Sequence, residues 1–136
     1  MAKNDLNEKL ATFRFLESRL QNISNQREVA IGRIAEINST IQSLDEIEKS
    51  GGDVLFPIGS SAYTFAKITE KNKVIVDIGA NVGVEKDFSE AKKTLEKNKV
   101  ELEKIVKEIE KAINETSHMM EELAPEIESE TEMQKG

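Results

Sequence analysis

Cysteine is missing from this 136-residue chain, which removes disulfides and thiolate metal sites. Tryptophan is missing too, and aromatic residues make up only 4%, too little for a thick globular core. The single histidine, His118, cannot build a histidine-based metal site or a catalytic triad within one chain, and it reads as a solvated helix residue. Basic residues are outnumbered 19 to 26, for a net charge of −7. No basic stripe is left to displace counterions from a nucleic acid. No apolar run fits a signal peptide or a membrane span, so the expected compartment is cytoplasmic, with no membrane partner. A nucleophile elbow, a phosphate-cradling Gly-rich Lys motif and calcium-loop spacing are all lacking. The expectation is a protein that is not an enzyme and carries no metal or cofactor.

What the chain does have is charge, at 33% of residues, arranged as alternating Lys and Glu around narrow apolar stripes. In the first third, Leu16, Leu20, Ile23, Ala30, Ile34, Ile37, Ile41 and Leu44 step by four and three, with Arg27 the one polar residue in register. Leu6, Leu10 and Phe13 continue the stripe upstream, but the step from Phe13 to Leu16 is three where four is due, a stammer that overwinds a coiled coil locally. In the last third, Phe88, Ala91, Leu95, Asn98, Leu102, Ile105, Ile109, Ala112, Thr116, Met119 and Leu123 repeat the pattern. Stripes this narrow predict coiled-coil helices over 5–48 and 87–124. Gly51 and Gly52 close the first, and Pro125 ends the second near Leu123 or Ala124. The acidic segment 125–136 is expected to be frayed or disordered. Folded back as an antiparallel pair, the helices bring together residues whose numbers sum to roughly 136.

Between them, over 53–86, the period changes. VLFPI, AYTFAKI, VIVDI and VGVE are short runs rich in β-branched and aromatic residues, with spacers that suit hairpins. Four short strands have too little apolar surface to stand alone, so they are expected to pair with other chains and close a barrel across subunits. The fold class is therefore mainly α with a small β part: a long antiparallel coiled-coil hairpin whose helices are joined by two β-hairpins that assemble into an intersubunit β-barrel.

VIVDIGANVG (74–83) imitates the first cofactor loop of S-adenosylmethionine methyltransferases. That loop needs a following strand in a parallel sheet, ending in an acid that holds the ribose. After Gly83 only four strand-like residues remain before one unbroken heptad helix. Gly79 and Gly83 are therefore expected to serve a hairpin turn, with Asp77 facing solvent or a neighbour.

Helix, two hairpins and helix, with VLFPIGSSAYTFAKI followed by VIVDIGANVGVEKDFSEAKKTL, resemble the α-class subunits of the prefoldin family over roughly residues 5–128. The β class has one hairpin, so four strands favour the α class. The resemblance implies a hexamer of two α-class and four β-class subunits. Its hairpins form a double β-barrel, and its coiled coils capture unfolded proteins without ATP for transfer to a group II chaperonin. On that basis Val54, Phe56, Ile58, Tyr63, Phe65, Val74, Val76 and Ile78 are expected to serve oligomerisation. Leu10, Phe13, Phe15, Leu16, Met119, Met120, Leu123 and Ile127 lie where the two helix termini meet and are the candidate client contacts. Phe15 and Met120 flank the seam and are expected to stay partly exposed, while Leu10, Phe13, Met119 and Leu123 also read as plain seam residues. The rival reading is a scaffold that oligomerises through its hairpins and binds one dedicated partner.

Overall fold

In the computed structural model, residues 2–70 and 72–135 are described. Helix α1 (Ala2–Lys49) leads into strands β1 (Asp53–Gly59), β2 (Ala62–Lys67), β3 (Lys73–Asp77) and β4 (Gly83–Asp87), and the chain ends in helix α2 (Phe88–Lys135). The strands form two separate two-stranded antiparallel sheets, β1–β2 and β3–β4. By its contacts the chain divides into two compact units. The hairpin unit is Ile34–Glu101, and the terminal unit combines the residues up to Arg33 with those from Leu102 onward.

In the hairpin unit the core forms where the strands meet the helices. Leu44, Phe88 and Ala91 are buried together, with Ile47, Val74 and Leu95 packed against them. Phe88 is only 3% exposed, and its N–H donates to the Asn72 carbonyl at 2.9 Å, which closes the base of the second hairpin. The Ile68 N–H does the same to the Gly52 carbonyl at 2.7 Å for the first hairpin. Gly52 adopts φ +94° there, a conformation open to glycine and poorly tolerated by other residues. Lys92 pairs with Asp45 and, at 3.1 Å, with Glu48, fastening the start of α2 to the end of α1.

In the terminal unit the two helices run antiparallel. Leu6, Leu16, Ala30 and Leu102 are buried along the seam. Arg27, the polar residue in register, donates to Glu110 at 3.1 Å through its terminal nitrogen, and Lys9 meets Glu126 and Glu130. These partner numbers sum to between 135 and 139, as the antiparallel register requires.

Two expectations need correction. Helix α2 does not stop near Leu123 or Ala124: it carries Pro125 inside it and runs to Lys135. Proline removes one backbone hydrogen bond and crowds the preceding turn, at about 3 kcal/mol in a helix interior. Pairing works against that cost: Glu126 and Glu130 pair with Lys9, and Ala124 and Ile127 line one groove with Leu10 and Phe13 of α1. Residues 125–135 are thus helical where a frayed tail was expected.

The second correction concerns the α2 seam. The α1 stripe is buried or half-buried at every predicted position. In α2, however, Val106 and Met120 turn inward, whereas Ile105 and Met119 are exposed; Asn98 is exposed as well. Ile105–Val106, Ala112–Ile113 and Met119–Met120 are apolar neighbours seven residues apart, so one choice of step settles all three pairs. The fold turns the second member toward α1 at Val106 and Met120, while Ala112 and Ile113 are both half-buried.

Candidate functional site

The first hairpin is apolar on both faces. Its register pairs Leu55 with Phe65 and Pro57 with Tyr63 on one face, and Val54 with Ala66 and Phe56 with Thr64 on the other, since residues directly opposite share a face. Leu55, Phe56, Ile58 and Tyr63 are all exposed, and Phe65 is 91% exposed. Val54 and Ala66 alone are half-buried. The connection is a two-residue loop in which Ser60 and Ser61 have φ of 47° and 64°, the primed turn whose twist matches the strands. Leu55 belongs to the same surface as Phe65 and Tyr63 but was not among the residues expected there. The missing signal was register, which only the turn position fixes.

The second hairpin has one apolar face. Val74 lies opposite Lys86 and Val76 opposite Val84, all half-buried, with Val74 on the core. Between this face and the helices lies a cleft of ≈ 430 Å³ lined in part by Leu44, Val76, Ala91 and Leu95. The opposite face carries Ile75, 78% exposed, among Lys73, Asp77, Glu85 and Asp87, with Lys73 and Glu85 3.8 Å apart. Ile78 is exposed at the start of the loop.

The cofactor-like DIGANVG segment is this hairpin's turn. Asp77 accepts a hydrogen bond from the Gly79 N–H at 2.8 Å, the Val82 N–H reaches the Gly79 carbonyl at 3.0 Å, and Ala80 and Asn81 both have positive φ. A Cβ on Gly83 would come within 2.6 Å of the Ile75 side chain, so the glycine lets Ile75 lie across the strand pair. Asp77, Gly79, Val82 and Gly83 of the imitation therefore have local structural tasks.

At the meeting of the helix termini the structure divides the expected client contacts. Leu16 is buried, and Leu10, Phe13, Met120, Leu123 and Ile127 are half-buried in or beside the seam. Phe15 is 65% and Met119 54% exposed. Met120 was expected to flank the seam and stay partly exposed, with Met119 in the seam; Met120 is half-buried and Met119 is the more exposed of the two, because α2 turns Met120 toward the seam.

Charge is organised around these surfaces. Lys92 is raised above the ordinary lysine value, chiefly by its hydrogen bond to Asp45 and then by that to Glu48. Asp45 is lowered by the same hydrogen bond from Lys92. Lys9 is raised, first by its hydrogen bond with Glu130. His118 lies 3.1 Å from Glu122, one turn along the exposed surface of α2. Among the described residues no cluster of three or more metal-ligating side chains occurs, and no helix is long and apolar enough to cross a membrane.

Comparison with known proteins agrees with this layout. The family model described as Prefoldin subunit matches residues 13–132. The chain is 32% identical over 98 residues to the prefoldin subunit alpha of Nitrosopumilus maritimus, covering 71% of this chain and 68% of that one. To the prefoldin subunit alpha of Thermofilum pendens it is 38% identical over 80 residues, covering 56% and 62%. The structure resembles the filamentous PFD from Methanocaldococcus jannaschii, solved by cryo-EM. The TM-score is 0.70 and the identity 25%, over 88% of this chain and 98% of that one. With two hairpins between two long helices and a family match spanning most of its length, this chain belongs to the prefoldin family of chaperone subunits, in its α class.

Proposed function

We propose that this chain is the α-class subunit of an ATP-independent holdase in the cytoplasm. Its two hairpins join those of β-class subunits in an intersubunit β-barrel, as an α2β4 hexamer. Unfolded client proteins are held by apolar contact where the helix termini meet and are passed to a group II chaperonin. Val54, Leu55, Phe56, Ile58, Tyr63 and Phe65, with Ile78, form the oligomerisation surface, whereas Val74 and Val76, expected there too, face their own chain's helices. Phe15 and Met119 lead the client contacts, with Leu10, Phe13, Leu16, Met120, Leu123 and Ile127 behind them as the seam that holds them in place.

The observation that carries client capture is the exposure of Phe15 and Met119 on a coiled coil whose seam is already filled. Unpartnered apolar side chains on a solvated helix pair lose nothing by contact with a non-native chain and bury area in doing so. Methionine adapts to irregular partners, and weak contacts from several subunits multiply through effective concentration.

The test is suppression of aggregation. Denatured rhodanese is diluted without ATP into the chain assembled with a β-class partner, beside an assembly carrying Phe15→Ser and Met119→Ser. Protection should fall severalfold while the assembled mass stays constant. Failure of the wild-type assembly to protect any denatured client would leave the scaffold with one dedicated partner.

A further inference from the structure

With no cysteine in the chain, methionine is its only sulfur. Helix α2 holds Met119, Met120 and Met133. The first two are adjacent yet differently placed. Met119 is 54% exposed, whereas Met120 is half-buried. Consecutive side chains on a helix point about 100° apart, so a seam that takes one leaves the other outside. Met133 is 77% exposed and shares a groove with Asp5, Glu130 and Gln134, a polar setting outside the client contacts proposed above. Exposure decides what an oxidant does to each. A hydroperoxide delivers one oxygen to a thioether. A sulfur lone pair attacks, the S–O bond forms as the O–O bond breaks, and sulfur gives up two electrons. The proton of the transferred hydroxyl passes to the leaving hydroxide, which departs as water. The sulfoxide left behind is polar. At Met119 it stays in solvent and costs the helix pair no packing. At Met120 it would carry a polar oxygen into the seam at a desolvation cost, and the half-buried thioether is harder for the oxidant to reach.

We propose that Met119 is an oxidation switch on client capture: a hydroperoxide converts its thioether to the sulfoxide, and the coiled coil then loosens its hold on unfolded chains while keeping its fold. The inference rests on the holdase function proposed above and names the regulation of that same surface. The seam beside Met119 is filled by Thr116, Met120 and Leu123, none of which the reaction at Met119 alters. Phe15, the other leading contact, has no sulfur to oxidise, so capture is weakened and not abolished. A dithiol reductant acting through a sulfoxide reductase takes the oxygen back as water and is itself oxidised to a disulfide, so the change is reversible.

In the test, the chain assembled with its β-class partner is treated with hydrogen peroxide, the excess is removed with catalase, and protection of denatured rhodanese is measured. Peptide mass spectrometry should find Met119 and Met133 oxidised well before Met120. Protection should fall about threefold, with assembled mass and helix content unchanged. The two stereospecific methionine sulfoxide reductases with dithiothreitol should restore it. Met119→Leu, apolar and inert to peroxide, should protect as well as the wild type before treatment and keep that protection afterwards, although Met133 and the partner subunits are oxidised as before. Met133→Leu should lose protection as the wild type does. If the oxidised wild type protects as well as the untreated one, the switch is wrong and capture at the helix termini stands. If the untreated assembly protects nothing, capture and switch fall together. An equal loss in Met119→Leu, equal oxidation rates at Met119 and Met120, or a drop in assembled mass would each overturn the switch.

Discussion

The two hairpins are both antiparallel strand pairs but differ in what their faces meet. The second is an ordinary half-buried ribbon, with Val74 and Val76 against the helices and charged residues outside around Ile75. The first has no polar face and leaves Leu55, Phe56, Tyr63 and Phe65 in solvent. A two-stranded ribbon with both faces apolar is unstable by itself, and its unpaired edges invite further strands. The second hairpin therefore anchors the strands to their own chain, and the exposed first hairpin is the one proposed above to be covered by other subunits.

The sharpest way to break this comparison is a charge on each hairpin. Phe65→Asp should reduce assembly affinity by at least tenfold, about 2–4 kcal/mol in the range of interface hot spots, with helix content unchanged. Ile75→Asp should leave the assembled mass as it is, since its face is already polar. Sedimentation of the two variants decides the matter, and equal losses would erase the distinction between the hairpins.

A smaller effect separates the turns. Ser60 and Ser61 both hold positive φ without being glycine, so Ser60→Asn with Ser61→Gly should raise stability by about 1 kcal/mol. The matching change in the second hairpin, Ala80→Asn with Asn81→Gly, should gain about half as much, because Asp77 already fixes that loop. Thermal melts followed by circular dichroism measure both.

The smallest effect depends on pH. Hydrogen bonding to Lys92 depresses Asp45 below its ordinary value of 3.8, so its contribution is complete at neutral pH and is lost as pH falls through the depressed value. Lys92 is raised above 10.5, so its contribution persists to that point and is lost as pH climbs through the raised value. The melting difference between the wild type and Asp45→Asn, a degree or so, should stay flat at neutral pH and close at both extremes. A difference that survives strong acid would show that the pair does not hold α2 to α1.

Much of this was legible in the order of residues. The α1 stripe could be read position by position because its steps from Leu16 to Leu44 follow one alternation of four and three, interrupted only by Arg27. The α2 stripe could not, since Ile105–Val106, Ala112–Ile113 and Met119–Met120 satisfy both alternations of three and four, and only the partner helix chooses between them. That ambiguity hid which of Met119 and Met120 stays the more exposed. The strands were visible in composition, but Leu55 was missed because which face a strand residue joins depends on register, a property of two strands at once. Pro125 misled for a related reason: its local cost is real, and contacts with residues more than a hundred positions away work against it.

That proline has a consequence for cooperativity. Lacking an N–H, it leaves the Glu121 carbonyl without its usual donor, so the last turns of α2 have one hydrogen bond fewer to the helix behind them. Their order comes sideways, from Lys9, Leu10 and Phe13. The first turns of α1 are held by the same contacts in return. Residues 9–13 and 124–130, more than a hundred positions apart, should therefore fold and melt as one cooperative element.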